Sequence, residues 1–152
     1  MGCIIHIVLV EPQIPPNTGN IARFCAAMNC SLHLVKPLGF STDEKTLRRA
    51  GMDYWQHVDV FYHDSLDDFE EETLSENKYY VTTKSNRSYT DIVYQSNDWL
   101  VFGSEDYGLK KSLLEKNKEK TITIPMPGKV RCLNLSSAVA VVGAEAVRQL
   151  SI

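Results

Sequence analysis

The sequence has no C-x-x-C pair, no apolar run long enough to cross a membrane and no excess of basic side chains. Each absence removes a class of function. Without paired spacing, Cys3, Cys25, Cys30 and Cys132 are expected to be buried or half-buried thiols in a reducing compartment, not disulfides or metal ligands. The histidines, His6, His33, His57 and His63, are scattered. His6 and His33 fall inside strand-like runs, where a structural role is expected, and no metal is expected. The longest apolar stretches fall far short of the roughly 20 residues a membrane helix needs. Cys3–Val10 is apolar, but no basic segment precedes it and no small-residue cleavage site follows. A secretory leader is therefore not expected, and a cytoplasmic location is. With a net charge of -3, any contact with nucleic acid has to come from a local patch. Internal repeats, low-complexity tracts and linkers are also missing.

What is present suits one domain over residues 1–152: the length supports one core, and 43% hydrophobic with 23% charged residues is ordinary for a soluble fold. "CIIHIVLVEP" (Cys3–Pro12) is rich in β-branched residues and reads as a buried strand. A helix over Asn17–Asn29 follows, with Asn17 or Thr18 as its N-cap. "SLHLVKP" (Ser31–Pro37) is a second strand. Ser41 with Glu44 three residues later marks a capping box for a short helix to Ala50. "HVDVFYH" is a third strand, and "SLDDFEEETL" an acidic helix with Leu66, Phe69 and Leu74 as its apolar side. "KYYVTTK" (Lys78–Lys84), "DWLVFGSE" (Asp98–Glu105) and "KTITIPMP" are strands, "LKKSLLEKN" is a short helix, and Leu133–Leu150 a closing helix. Strands alternating with helices predict an α/β domain with a mainly parallel sheet. Such sheets bind ligands at the carboxyl ends of their strands, here after Val10, Thr83, Phe102 and Pro125.

Three stretches carry chemistry. In "NTGNIARFCAAMNC" (Asn17–Cys30), a helical projection puts Phe24, Cys25 and Met28 within about 60° of Ile21, which defines the core face. Arg23 falls about 200° away, beside Gly19, Ala26 and Ala27. Periodicity leaves two readings open: a solvated surface arginine, or a guanidinium aimed into an interface or ligand site. In "LVFGSEDYGL" (Leu100–Leu109), glycines at a strand end permit close backbone approach. The spacing fits neither a dinucleotide fingerprint nor a P-loop. In "ITIPMPGKVRCLNLSSAVAVVGAEAVRQL" (Ile122–Leu150), a proline-bearing strand leads to a glycine turn, the basic pair Lys129 and Arg131, and a helix that Asn134 or Ser136 could cap. Gly143 costs that helix roughly 1 kcal/mol against alanine, which points to tight packing on another backbone.

These stretches, "EPQIPPNTGNIARFCAA", "FGSEDYGL" and "IPMPGKVRCLNLSSAVAVVGAEAVRQ", resemble in order and spacing the three motifs of the SPOUT superfamily, trefoil-knotted RNA methyltransferases that use S-adenosylmethionine. "LHLVKPLGFSTDEKTLRRAGMDYW" resembles its small single-domain members, which 2'-O-methylate the wobble nucleotide of tRNA. The likeness spans nearly the whole chain. It implies helices on both faces of the sheet, a deep C-terminal trefoil knot, and a homodimer with the first and last helices at its interface. It implies cofactor contacts from Val81, Thr82 and Thr83, from Gly103, Glu105 and Gly108, from Ile124 and Met126, and from Cys132, Leu133 and Asn134. Arg23 matches the motif-one arginine, assigned to catalysis, and would act near the cofactor of the other protomer. A guanidinium, with a pKa above about 12, rarely deprotonates in proteins, so stabilising negative charge on the RNA suits Arg23 better than acting as a base.

The implied substrate is the anticodon loop of tRNA, with Lys45, Arg48 and Arg49, followed by Tyr54 and Trp55, as a candidate contact patch. Another tRNA or ribosomal position, or a non-catalytic RNA-binding dimer, are the alternative readings. Ala144 stands where many close relatives have tyrosine, and Cys132 where they often have serine.

Overall fold

Residues alternate along the central strands between two apolar faces, and this alternation organises the molecule. A computed structural model describes residues 2–43, 45 and 54–151. The strands are β1 (His6–Val10), β2 (Ser31–Val35), β3 (Val60–His63), β4 (Lys78–Val81), β5 (Trp99–Phe102) and β6 (Thr121–Ile122). They form one sheet in the order β3-β2-β1-β5-β4-β6, with every pairing parallel. Ile7 and Leu9, Leu32 and Leu34, and Leu100 and Phe102 point to one face. There they meet Ile21, Ala22 and Cys25 of α1 (Pro15–Met28) and Val139, Val142 and Ala146 of the C-terminal helix. Val8 and Val10, Tyr80 and Val101 point to the other face. There they meet Phe69 of α2 (Leu66–Glu72) and Leu113 and Leu114 of α3 (Lys111–Lys116). A parallel sheet covered on both faces has strands that read as continuous apolar runs, as β1 and β2 do.

Several expected boundaries move. α1 starts at Pro15, with Ile14 at the N-cap and no side-chain cap; Asn17 and Thr18 lie buried inside the first turn. Two prolines at the first helical positions already preset the backbone, so no capping side chain is needed. The fourth and fifth strands stop at Val81 and Phe102, and β6 has only two residues. The C-terminal helix, α4 (Leu135–Leu150), begins two residues later than expected, capped by the Asn134 side chain, whose Oδ1 accepts from the Ser136 amide at 2.9 Å. Leu74 is not a core residue: α2 ends before it, and it is 73% exposed. Gly143 is indeed tightly packed, but a Cβ there would meet the Phe24 ring of α1 at 2.8 Å, not a backbone. Cys25 and Cys30 are buried, whereas Cys132 is exposed. Burial pushes the Cys30 thiol up to about 12 and raises Cys25 as well. Most of the predicted Ser41–Ala50 helix, including Arg48 and Arg49, lies outside the described residues.

Three histidines form a ladder across β1, β2 and β3. His6 Nδ1 lies 3.2 Å from His33 Nε2, with Ser31 Oγ within reach of both. His33 Nδ1 lies 3.0 Å from His63 Nε2, and His63 Nδ1 lies 3.0 Å from Glu72 Oε2. Trp99 stacks on His6 and tilts against His33, and Phe61 stacks on His33. With each imidazole donating toward Glu72, one N–H per ring satisfies the whole ladder. Among the described residues, no group of three His, Cys, Asp or Glu side chains is arranged to hold a metal ion.

Burial, with His6 and His63 alongside, lowers His33 to about 3, and burial also lowers His6 against the opposing pull of Glu76. Both groups bind protons more readily unfolded, near pH 6.5, than folded. Their stabilisation is complete above that pH and is lost as pH falls from about 6.5 toward 3. The melting temperature should therefore drop over that range, and His33→Gln should flatten the slope. An unchanged slope in that variant would assign the acid transition to other groups.

Candidate active site

The loops at the carboxyl ends of β4, β5 and β6 and the start of α1 enclose a cavity of about 580 Å³. That volume suits a ligand of nucleoside size. The eleven residues predicted to contact the cofactor all line it: Val81, Thr82 and Thr83 after β4; Gly103, Glu105 and Gly108 in the turn after β5; Ile124 and Met126 after β6; Cys132, Leu133 and Asn134 before α4. The cavity combines an apolar floor (Val81, Phe102, Leu109, Ile124) with exposed loop backbone.

Gly103 sets the shape of the β5 turn. A Cβ there would press on the backbone of Gly108 and Leu109 at less than any real contact distance. The turn closes through a Gly108 N–H to Ser104 carbonyl bond of 2.9 Å, with Gly108 at φ 66°, a left-handed conformation that glycine adopts freely. These two glycines keep the strand end and the turn in backbone contact and leave the space beside them open. That geometry fits a flat heterocycle held by backbone groups.

Glu105 is committed to the protein. Its Oε1 accepts from the Gln13 amide at 2.8 Å, and its Oε2 accepts from the Ile14 amide at 2.9 Å and from Asn17 Nδ2 at 3.2 Å. The carboxylate thus sits at the N-terminal end of α1, where amides lack helical partners and negative charge is stabilised. Asn17 in turn accepts from Asn134 Nδ2 at 3.0 Å. One hydrogen-bonded chain therefore joins all three motif stretches: Asn134 to Asn17 to Glu105. Sequence reading placed Asn17 only as a cap. The Pro15–Pro16 pair was the signal that the helix starts earlier and leaves Asn17 free for another task.

Replacing Glu105 by glutamine keeps the shape but turns one acceptor into a donor facing other donors. About 1–3 kcal/mol of stability should be lost, with weaker cofactor binding, measured by thermal unfolding and calorimetry. A variant with unaltered melting and affinity would contradict the role given to this carboxylate.

A second clasp spans the rim: Tyr107 Oη donates to Glu11 Oε1 at 2.8 Å, and this hydrogen bond raises the Tyr107 phenol above its ordinary value. Glu11 itself sits at φ 53° at the end of β1.

Arg23 is exposed on α1 and does not line its own chain's cavity. Its guanidinium lies over the Tyr54 ring, 5.0 Å from the centroid. Trp55 is half-buried against the core. Lys45, Lys129 and Arg131 are exposed.

The model of the SpoU rRNA Methylase family matches residues 4–144. The chain belongs to the SpoU methylase family. This methyltransferase is 49% identical over 150 residues to a putative tRNA (cytidine(34)-2'-O)-methyltransferase of Geobacillus stearothermophilus, covering 97% of this chain and 96% of that one. It is 45% identical over 148 residues to the tRNA (cytidine(34)-2'-O)-methyltransferase of Escherichia coli, covering 97% and 94%. Among solved structures, a putative RNA methyltransferase from Bacillus anthracis superposes with a TM-score of 0.92 at 46% identity, covering 97% of this chain and 94% of that one. A structure described as giving insights into the 2-OH methylation of C/U34 on tRNA superposes with a TM-score of 0.90 at 42% identity, covering 97% and 96%. The fold is that of the SPOUT methyltransferases.

Proposed function

We propose that this methyltransferase acts on the ribose 2'-hydroxyl of nucleotide 34 of tRNA, with S-adenosylmethionine as methyl donor. The observation that carries the reading is 45–49% identity over nearly the full length of relatives named for this activity, the Geobacillus protein as a putative one. When bound, S-adenosylmethionine supplies an activated methyl on a sulfonium, open to in-line attack by a ribose 2'-oxygen. Val81, Phe102 and Ile124 would hold the adenine against apolar surface, and the backbone around Gly103 and Leu133 would hydrogen-bond its edge. Glu105 positions the turn and the start of α1; it is not free to act as a base. Alignment of the reacting atoms can supply several kcal/mol.

The catalytic guanidinium would come from a second copy of the chain, because Arg23 does not line its own cavity. There it would hydrogen-bond the RNA phosphate or the 2'-oxygen and stabilise the charge that develops as the hydroxyl proton leaves. The homodimer and the knot belong to this reading. The segment between β4 and β5 is tied both to the chain just past β6 and to α4, as a loop wrapped on the C-terminal segment would be. Tyr89 donates its amide to the Thr123 carbonyl at 2.9 Å, and Gln149 bridges the Tyr94 amide and the Ile92 carbonyl.

RNA would meet the exposed Lys45, Lys129 and Arg131, with dimer symmetry doubling the patch. If roughly five phosphates are contacted, tRNA affinity should fall about 10²- to 10³-fold between about 50 and 200 mM salt. A flat response would count against the patch. The reaction itself is tested by incubating the protein with S-adenosylmethionine and tRNA from a strain lacking the activity. Nuclease digestion and mass spectrometry should then find a 2'-O-methylated nucleoside at position 34. Methylation at another position, or none, would overturn the assignment.

A further inference from the structure

We propose that Asn17 is a positioning residue for methyl transfer, joining the cofactor cavity of its own chain to the helix that presents Arg23 to the partner copy. The proposal rests on the reading that Arg23 acts in the other protomer's site. Asn17 is a buried carboxamide with both ends used: Oδ1 accepts from Asn134 and Nδ2 donates to Glu105. Its two partners line the cavity, and Asn17 lines it as well. The directions are fixed by chemistry. Asn134 Oδ1 is taken by the Ser136 amide and hydroxyl, so its Nδ2 must face Asn17. An ionised Glu105 only accepts, so Asn17 must turn its Nδ2 there. No other orientation of the amide satisfies both neighbours.

Asn17 stands in the first turn of α1, and Arg23 follows six residues later, about 9 Å along the same rigid rod. At the other end, Phe24 packs against Gly143 and so fixes α1 on α4. The helix is thus held near Asn17 by groups from the cofactor loops and near Phe24 by α4, with the Arg23 backbone between. A cavity whose loops are ordered by ligand would hold α1, and hence Arg23, in one place. The cavity that benefits is the partner's.

The test uses mixed dimers, purified with two different tags. In homodimers, Asn17→Ala should lower kcat about 10- to 100-fold with saturating tRNA and cofactor. Asn17→Ser serves as a second variant should the alanine form not fold. The placement of two substitutions then decides where Asn17 acts. With Asn17→Ala and Arg23→Ala on one chain and wild type on the other, about half of wild-type activity should remain. With the two substitutions on opposite chains, activity should fall to the level of the Asn17→Ala homodimer or below. The reverse pattern would mean that Asn17 serves its own cavity and would overturn the proposal, as would full turnover in the homodimer. The underlying reading is tested separately by pairing an Arg23→Ala chain with one whose cavity is filled by Ala138→Phe. Activity in that pair supports action across the dimer, and its absence removes that reading and the proposal with it.

Discussion

Arg23→Ala is expected to reduce turnover on the order of 10²- to 10³-fold while leaving cofactor affinity and melting nearly unchanged. The residue is exposed, and among the described residues it lies over the Tyr54 ring, a contact worth about 0.5–1 kcal/mol at such a site. It does not line its own chain's cavity, so the binding of S-adenosylmethionine should not sense its loss. What should be lost is the stabilisation of charge on an oxygen giving up its proton. Arg23→Lys discriminates between kinds of stabilisation. Lysine keeps the charge but not the planar fork, so a guanidinium making two parallel hydrogen bonds predicts a drop of about tenfold or more. Near-normal turnover with lysine would leave only a point-charge role. Full turnover with alanine would remove the residue from the chemistry.

Gly103→Ala should damage the site from the opposite direction. The added methyl meets main-chain atoms of Gly108 and Leu109, which cannot rotate aside as a side chain can. The turn must open or the strand end must shift. Overpacking of this kind costs about 1–3 kcal/mol, and here the displaced groups are the cavity wall itself. Calorimetry should show affinity for S-adenosylmethionine falling at least about tenfold, with a lower melting temperature. Gly108→Ala is the informative contrast. No atom lies within 4 Å of its added Cβ, so its penalty is that of a left-handed alanine, about 1–2 kcal/mol, without a clash. A Gly103→Ala protein that binds cofactor normally would show that this turn is not part of the binding wall.

The sheet was legible because its central strands are buried on both faces. "HIVLV" and "SLHLV" are short runs of β-branched and aliphatic residues between polar breaks, and their registers pair residue for residue. Element ends were less legible, since the last residues of a strand-like run can leave the sheet to build a site. Thr82, Thr83 and Ile124 do this: they read as strand and form cavity wall. The order of the strands could not be read from spacing, because β5 inserts between β1 and β4 through contacts distant in sequence. The three motif stretches were visible separately, and the family resemblance joined them. The hydrogen-bonded chain from Asn134 through Asn17 to Glu105 was not visible, since each of these residues has a plausible local role as a cap or turn. The histidine ladder was hidden for a related reason. His6, His33 and His63 are 27 and 30 residues apart, and only parallel pairing brings them onto one face.

The claim on which the rest depends is that each active centre is assembled from two chains. Mixing two variants that are inactive alone tests it most directly: Arg23→Ala, with an intact cavity, and Ala138→Phe, with an intact arginine. After unfolding and refolding together, or after co-expression, the mixture is predicted to recover methylation at position 34, from dimers that hold one good cavity and the one arginine that serves it. If the mixture stays as inactive as its components while mixed dimers are shown to form, Arg23 does not act across the interface, and the account is contradicted.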